Sequence, residues 1–150
     1  MSTQPAAAIR PALQADTAAD LMRQQVISLR DSATVAEAIA TLTQRGINAC
    51  PVVNEAGQPV GVLSKADLLV HERERILAGT AAPSGAAGGE PTVVADLMTP
   101  AVFSVTLAAP AAKVVEQMVE LNVHQLFVVD PAGVLIGTIT ALDVLQHLRA

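Results

Sequence analysis

Two short stretches carry the residues best suited to chemistry. One is Ser64-Lys65-Ala66-Asp67, inside "GVLSKADLL"; the other is Thr140-Ala141-Leu142-Asp143, inside "GTITALDVL". In each, a hydroxyl stands three residues ahead of a carboxylate, where a strand-like apolar run gives way to helical spacing. A Ser or Thr cap with an acid at the third helical position makes a capping box, and that is the plainer reading of either stretch alone. The same atoms suit a nucleotide. A helix N-terminus presents orphan N–H groups and partial positive charge to a phosphate. The hydroxyl can donate to a phosphate oxygen, and an aspartate one turn in can accept hydrogen bonds from both vicinal ribose hydroxyls. The chemistry permits a nucleotide and does not require one.

Other chemistries lack ingredients. His71 and His147 each follow an aspartate by four residues, which puts the pair on one helix face. Two ligands per stretch with no further Cys or Glu cluster fall short of a metal set, so no metal is expected, and a histidine favouring the helix C-terminal dipole is the better reading. "HERER" (71–75) reads as a solvated, alternately charged helical face. The chain shows no Walker loop, no Ser/His/Asp or Cys/His constellation and no carboxylate pair beyond the two aspartates; no catalytic residue is assigned and no enzyme is expected. Cys50, the single cysteine, lies in the apolar run "ACPVV" and reads as inert core packing in a reducing compartment.

The elements that must position the two corners are themselves repeated. Asp20–His71 aligns with Asp96–His147 without a gap, matching "DLM" at both starts, the Val-Val pairs 52–53 and 128–129, Gly57 with Gly133, and Gly61 with Gly137. Each copy begins with a short apolar strand, "VISL" (26–29) or "VFSV" (102–105). Apolar residues at helical spacing follow over Val35 to Arg45 and Ala111 to Leu121. Next come "ACPVV" and "QLFVV", the turns "NEAG" and "DPAG", and the returning runs "PVGVL" and "LIGTI", which together make a β-hairpin. A last helix is expected from Asp67 to Leu77 and from Asp143 to Arg149. The unit is thus β-α-β-β-α, too small to bury its sheet alone, so two pseudo-symmetric α/β (α+β) units packed sheet to sheet are expected. Residues 1–15 are expected to be disordered, 16–77 to form the first unit, 78–91 a flexible Ala/Gly/Pro linker, and 92–150 the second unit.

Composition narrows the partners. The 150-residue chain is 51% hydrophobic, carries net charge −5, and has two Phe with no Trp or Tyr. Nine Lys and Arg without a cluster, and too few aromatics to stack bases, argue against nucleic acid. No run approaches the roughly 20 apolar residues of a membrane span, and the start lacks the apolar core of a secretory signal, so a soluble cytoplasmic protein is expected.

The duplicated unit, with "DLM" ahead of it, "INACPVV" and "VHQLFVVDPAG" in the middle and the two corner stretches at its ends, resembles a tandem pair of cystathionine-β-synthase (CBS) domains, a Bateman module. The likeness covers about residues 16–149. It implies a stand-alone regulatory module that binds AMP, ADP or ATP in clefts between the two units, pairs into a homodimer through its helices, and switches the packing that a partner protein sees. Carried over, Ser64, Lys65 and Asp67, and Thr140 and Asp143, would hold ribose and phosphate. Ile47, Asn48 and Ala49, and Val123, His124 and Gln125, would line the base. Lys65 has Ala141 as its counterpart, so the second corner is expected to lack a cation, and AMP or ADP is favoured over uncomplexed ATP. Two alternatives stay open: a structural or interaction module whose corners only cap helices, and an S-adenosylmethionine sensor.

Overall fold

A computed structural model describes residues 12–79 and 92–149, with the side chain of Glu74 excepted. The first half holds β1 (Ala12–Leu13), α1 (Ala18–Leu21), β2 (Leu29–Arg30), α2 (Val35–Arg45), β3 (Ala49–Val53), β4 (Pro59–Ser64) and α3 (Lys65–Ala78). The second holds α4 (Val94–Leu97), β5 (Ser104–Thr106), α5 (Ala111–Leu121), β6 (Gln125–Val129), β7 (Leu135–Thr140), α6 (Ala141–Gln146) and β8 (Leu148–Arg149). It is a mixed α+β fold.

The helices form where the apolar spacing predicts them. α2 buries Val35, Ala38 and Leu42 on one face, and its cap Thr34 accepts the Glu37 N–H at 3.1 Å. α5 buries Ala111, Val114 and Met118 at the same spacing. Both end on a left-handed residue, Gly46 at φ 63° and Asn122 at φ 54°. β3 and β4 form an antiparallel hairpin whose turn is held by Asn54 Oδ1, which accepts the N–H groups of Ala56 and Gln58. Asp130 Oδ1 does the same for Ala132 and Val134 between β6 and β7. β2 adds parallel to β3, and β5 parallel to β6, completing sheets of order β2-β3-β4 and β5-β6-β7.

The compact units are not the two sequence copies. One is built from Ile27–Val102; the other joins the residues up to Val26 to those from Phe103 onward. Each copy's leading segment has thus been exchanged. Ala18 and Leu21 are buried in a core with Val114, Leu126, Val128 and Ile139, whereas Val94 is buried with Val35, Leu42, Val52 and Leu63. Backbone pairing fixes the exchange. Arg23 and Thr138 trade N–H···O bonds of 2.8 and 3.1 Å, and Thr99 and Val62 trade two of 2.9 Å.

This explains the repeated "DLM" and glycine residues. Asp20 Oδ2 accepts the N–H groups of Asp16 and Thr17, starting α1, and Asp96 Oδ2 accepts that of Val93, starting α4. Leu21 fills the core, and Met22 and Met98 lie across a glycine. A Cβ on Gly137 would stand 2.7 Å from Met22 Sδ and 2.9 Å from the Arg23 carbonyl oxygen; one on Gly61 would stand 2.6 Å from Met98 Sδ and 2.8 Å from the Thr99 oxygen. Only glycine admits the exchanged segment at that distance.

Several expectations need correction. The first strands sit later than "VISL" and "VFSV", at Leu29–Arg30 and Ser104–Thr106, because pairing with β3 and β6 begins only there. The last helices start two residues early, at Lys65 and Ala141, since Ser64 and Thr140 are the caps. The final helix does not reach Arg149: His147 caps it, and Leu148–Arg149 pairs antiparallel with Ala12–Leu13. That pairing also orders part of the segment expected to be disordered through residue 15. The expected linker lies outside the described residues from 80 to 91.

Candidate functional site

Each corner forms where the last hairpin strand hands over to a helix. At the first, Ser64 ends β4 and caps the 14-residue α3. Ser64 Oγ accepts the Asp67 N–H at 3.1 Å, and Asp67 Oδ2 accepts the Ser64 N–H at 2.9 Å. The Lys65 N–H donates to the Asn48 carbonyl at 2.8 Å, and Ala49 faces Ser64 in register. Lys65, Asn48 and Ala49 are exposed, Asp67 is half-buried, and Ile47 packs its side chain against the core.

The second corner repeats this. Thr140 caps the six-residue α6, its Oγ1 accepting the Asp143 N–H at 3.2 Å. Asp143 Oδ2 accepts both the Thr140 N–H, at 2.8 Å, and the Thr140 hydroxyl, at 2.9 Å. The Ala141 N–H donates to the His124 carbonyl at 3.0 Å, and Gln125 faces Thr140. His124 is exposed, while Val123 packs against the core. Asn48 and Ala49 are thus brought to Lys65 and Ser64, and His124 and Gln125 to Ala141 and Thr140, while the side chains of Ile47 and Val123 go to the cores; both capping boxes are formed.

One residue is added that sequence reasoning missed. Arg23 donates Nε–H to Asp143 Oδ1 at 2.6 Å, with its side chain 57% exposed and that of Asp143 5%. The expectation that the second corner lacks a cation is thus corrected: the charge comes from the exchanged segment instead of the position after the cap. The available signal was that "MRQ" stands where the second copy has "MTP" (98–100). Burial works to raise the Asp143 pKa, but hydrogen bonds from Arg23 and Thr140 overcome it and hold the carboxyl below its ordinary 3.8. The same bond, with the charge of Asp143, raises the Arg23 pKa.

The remaining sequence candidates find simpler places. His147 Nδ1 lies 2.7 Å from the Asp143 carbonyl oxygen, so the ring donates to the last turn of α6. Among the described residues no three His, Cys, Asp or Glu side chains group as a metal site would require. "HERER" is not a uniformly solvated face: Glu72 is buried, and both its carboxylate oxygens lie 2.8 Å from Arg75 Nη1. Cys50 is buried, and desolvation pushes its thiol up to about 11. Among the described residues no helix is long and apolar enough to cross a membrane.

A duplicated β-α-β-β-α unit with a hydroxyl–carboxylate corner at the end of each copy defines a class of tandem-domain protein. The family model for the CBS domain matches residues 18–74 and 94–150, and the chain belongs to the CBS-domain family, with two such domains in tandem. Among solved structures, it is 29% identical to CBSX2 from Arabidopsis thaliana in complex with AMP, covering 88% of this chain and 95% of that one at a TM-score of 0.67. It is 32% identical to the cytosolic domain of the Mg2+ channel MgtE in complex with ATP, covering 87% of this chain and 48% of that one at a TM-score of 0.68. Among curated proteins, the magnesium transporter MgtE of Thermus thermophilus is 31% identical over 90% of this chain. The 5'-AMP-activated protein kinase subunit gamma-3 of Sus scrofa is 30% identical over 81% of it. The chain spans 27% of that transporter's length and 24% of that kinase subunit's.

Proposed function

We propose that this chain is a regulatory module, without catalysis of its own, that binds an adenine nucleotide and changes its packing in response. The observation that carries this reading is the doubled corner: a capped helix N-terminus, a hydroxyl and a carboxylate beside an exposed strand-end residue, Asn48 or His124, in a CBS pair. Relatives captured with AMP and with ATP support it. Lys65 as the exposed cation beside Ser64 favours AMP or ADP, with ATP possible. The chain is read as cytoplasmic, in keeping with its single cysteine.

A homodimer through the helices is part of the same proposal. Leu69, Val70, Ile76 and Leu77 of α3 are exposed at 60% or more and line one apolar face. Val119 and Leu145, exposed at 74% and 60%, do the same on α5 and α6. A nucleotide that prefers one packing of such helices would be allosteric toward whatever protein reads that surface.

Calorimetry and thermal shift against AMP, ADP, ATP and S-adenosylmethionine test the proposal. A nucleotide at 100 times its dissociation constant should add about 2.7 kcal/mol of stability. The increment should shrink in Asp67→Ala, in Asp143→Ala or in both, according to which corner holds the nucleotide. No shift with any nucleotide would end the reading, and a shift with S-adenosylmethionine alone would replace it. Because the chain has no Trp or Tyr, co-purified nucleotide would also show as excess absorbance at 260 nm.

A further inference from the structure

The carboxylates of the two corners have different neighbours. At the second, Oδ1 of Asp143 is held by Arg23 and Oδ2 already accepts two hydrogen bonds from Thr140, and the residue is 3% exposed. The Thr140 hydroxyl is spent as well, donating to Asp143 Oδ2 and accepting the Asp143 N–H. At the first corner the place of Arg23 is taken by Thr99, which pairs with Val62 through its backbone as Arg23 does with Thr138. Among the described residues no arginine or lysine pairs with Asp67, which is half-buried and beside an exposed lysine.

From this we infer that Arg23 occupies the second corner in place of a ligand, so that the chain has one open nucleotide site, at Ser64, Lys65 and Asp67. The inference rests on the nucleotide reading above. A ribose engages such an aspartate by donating from its hydroxyls, and Nε–H of Arg23 is already the donor at that oxygen. A charged donor bonds a carboxylate about twice as strongly as a neutral one. It is also tethered to the same unit by backbone pairing, so it competes at an effective concentration that is millimolar in order for short tethers. A free neutral diol must displace both advantages, and at Asp67 it meets neither. Ala141 offers no cation to a phosphate where the first corner offers Lys65.

The test is the number of AMP molecules bound per chain, by calorimetry or equilibrium dialysis. The wild-type chain should bind one, lose it in Asp67→Asn and keep it in Asp143→Asn. Arg23→Thr, which installs the residue of the other copy, should raise the number to two. The reciprocal Thr99→Arg should weaken the single site at least tenfold, and it provides a second reading should Arg23→Thr fold poorly. Two sites in the wild type, one site that survives Asp67→Asn, or a stoichiometry unmoved by Arg23→Thr would overturn the inference and leave the nucleotide reading standing. No AMP bound by any variant would sink both.

Discussion

The corner at Ser64 and the corner at Thr140 share a backbone and differ in what points at the carboxylate. Both are capping boxes at the end of a hairpin, both hang from the carbonyl of the residue before the hairpin, and both receive an exchanged segment across a glycine. The first then carries Lys65 and faces Thr99, while the second carries Ala141 and faces Arg23. Duplication has preserved what the fold needs and relaxed what it does not. At the corners themselves the difference lies in side chains; beyond them α3 runs for 14 residues and α6 for six.

The largest expected effect tests the shared part. Gly61→Ala and Gly137→Ala each set a Cβ under 3.0 Å from a backbone carbonyl as well as a methionine sulfur, and the carbonyl cannot step aside as the sulfur can. Forcing an extra carbon into such a contact costs about 1–3 kcal/mol. Urea denaturation should show similar losses for both variants. If one alanine is tolerated, the two segments are not held alike and the symmetry of the corners is broken at the backbone.

Next comes the carboxylate. Asp143→Ala removes an acceptor from the Thr140 N–H, the Thr140 hydroxyl and Arg23, whereas Asp67→Ala strips the Ser64 N–H of its partner. Loss of a cap interaction costs about 0.5–2 kcal/mol. Asp143→Ala should fall at the upper end of that range and Asp67→Ala nearer the lower. Thermal denaturation of the two variants in the absence of ligand checks the order, and equal losses would mean that Arg23 and burial add nothing to the second box.

How much of this was legible depends on range. α2 and α5 could be placed to the residue because their apolar spacing, with Gly46 and Asn122 closing them, is written locally. The hairpins were legible for the same reason, through Asn54 and Asp130 and their glycines. The exchange of leading segments was not, because nothing near Met22 names Gly137 as its neighbour; the repeat of both residues is a record of that contact, readable only once the contact is known. The same holds for β8, where helical spacing ran on to Arg149 but a strand of two residues at Ala12–Leu13 captured the end. The Ser64–Asp67 and Thr140–Asp143 pairs close within three residues, and as capping boxes they were legible. Arg23, 120 residues from its partner, was not.

The smallest expected effect is the most informative about Arg23. A double-mutant cycle of Arg23→Ala with Asp143→Asn measures the pair alone. The arginine side chain is 57% exposed, so solvent screening should hold the coupling to about 0.2–1 kcal/mol, falling further in salt. Its pH dependence has a definite sign. The Asp143 carboxyl titrates below its unfolded value of 3.8, so the stability it contributes is fully present above that value and is lost as pH falls through the lower folded value. The coupling should therefore hold at pH 7, begin to fall only as pH drops below 3.8, and be gone once pH is below the lower folded value, and Asp143→Asn should flatten that part of the stability curve. A coupling of several kcal/mol would make Arg23 a structural strut, as needed for folding as the glycines. A small one leaves the arginine with little to do for stability, which is what a side chain placed to govern access to the carboxylate should show.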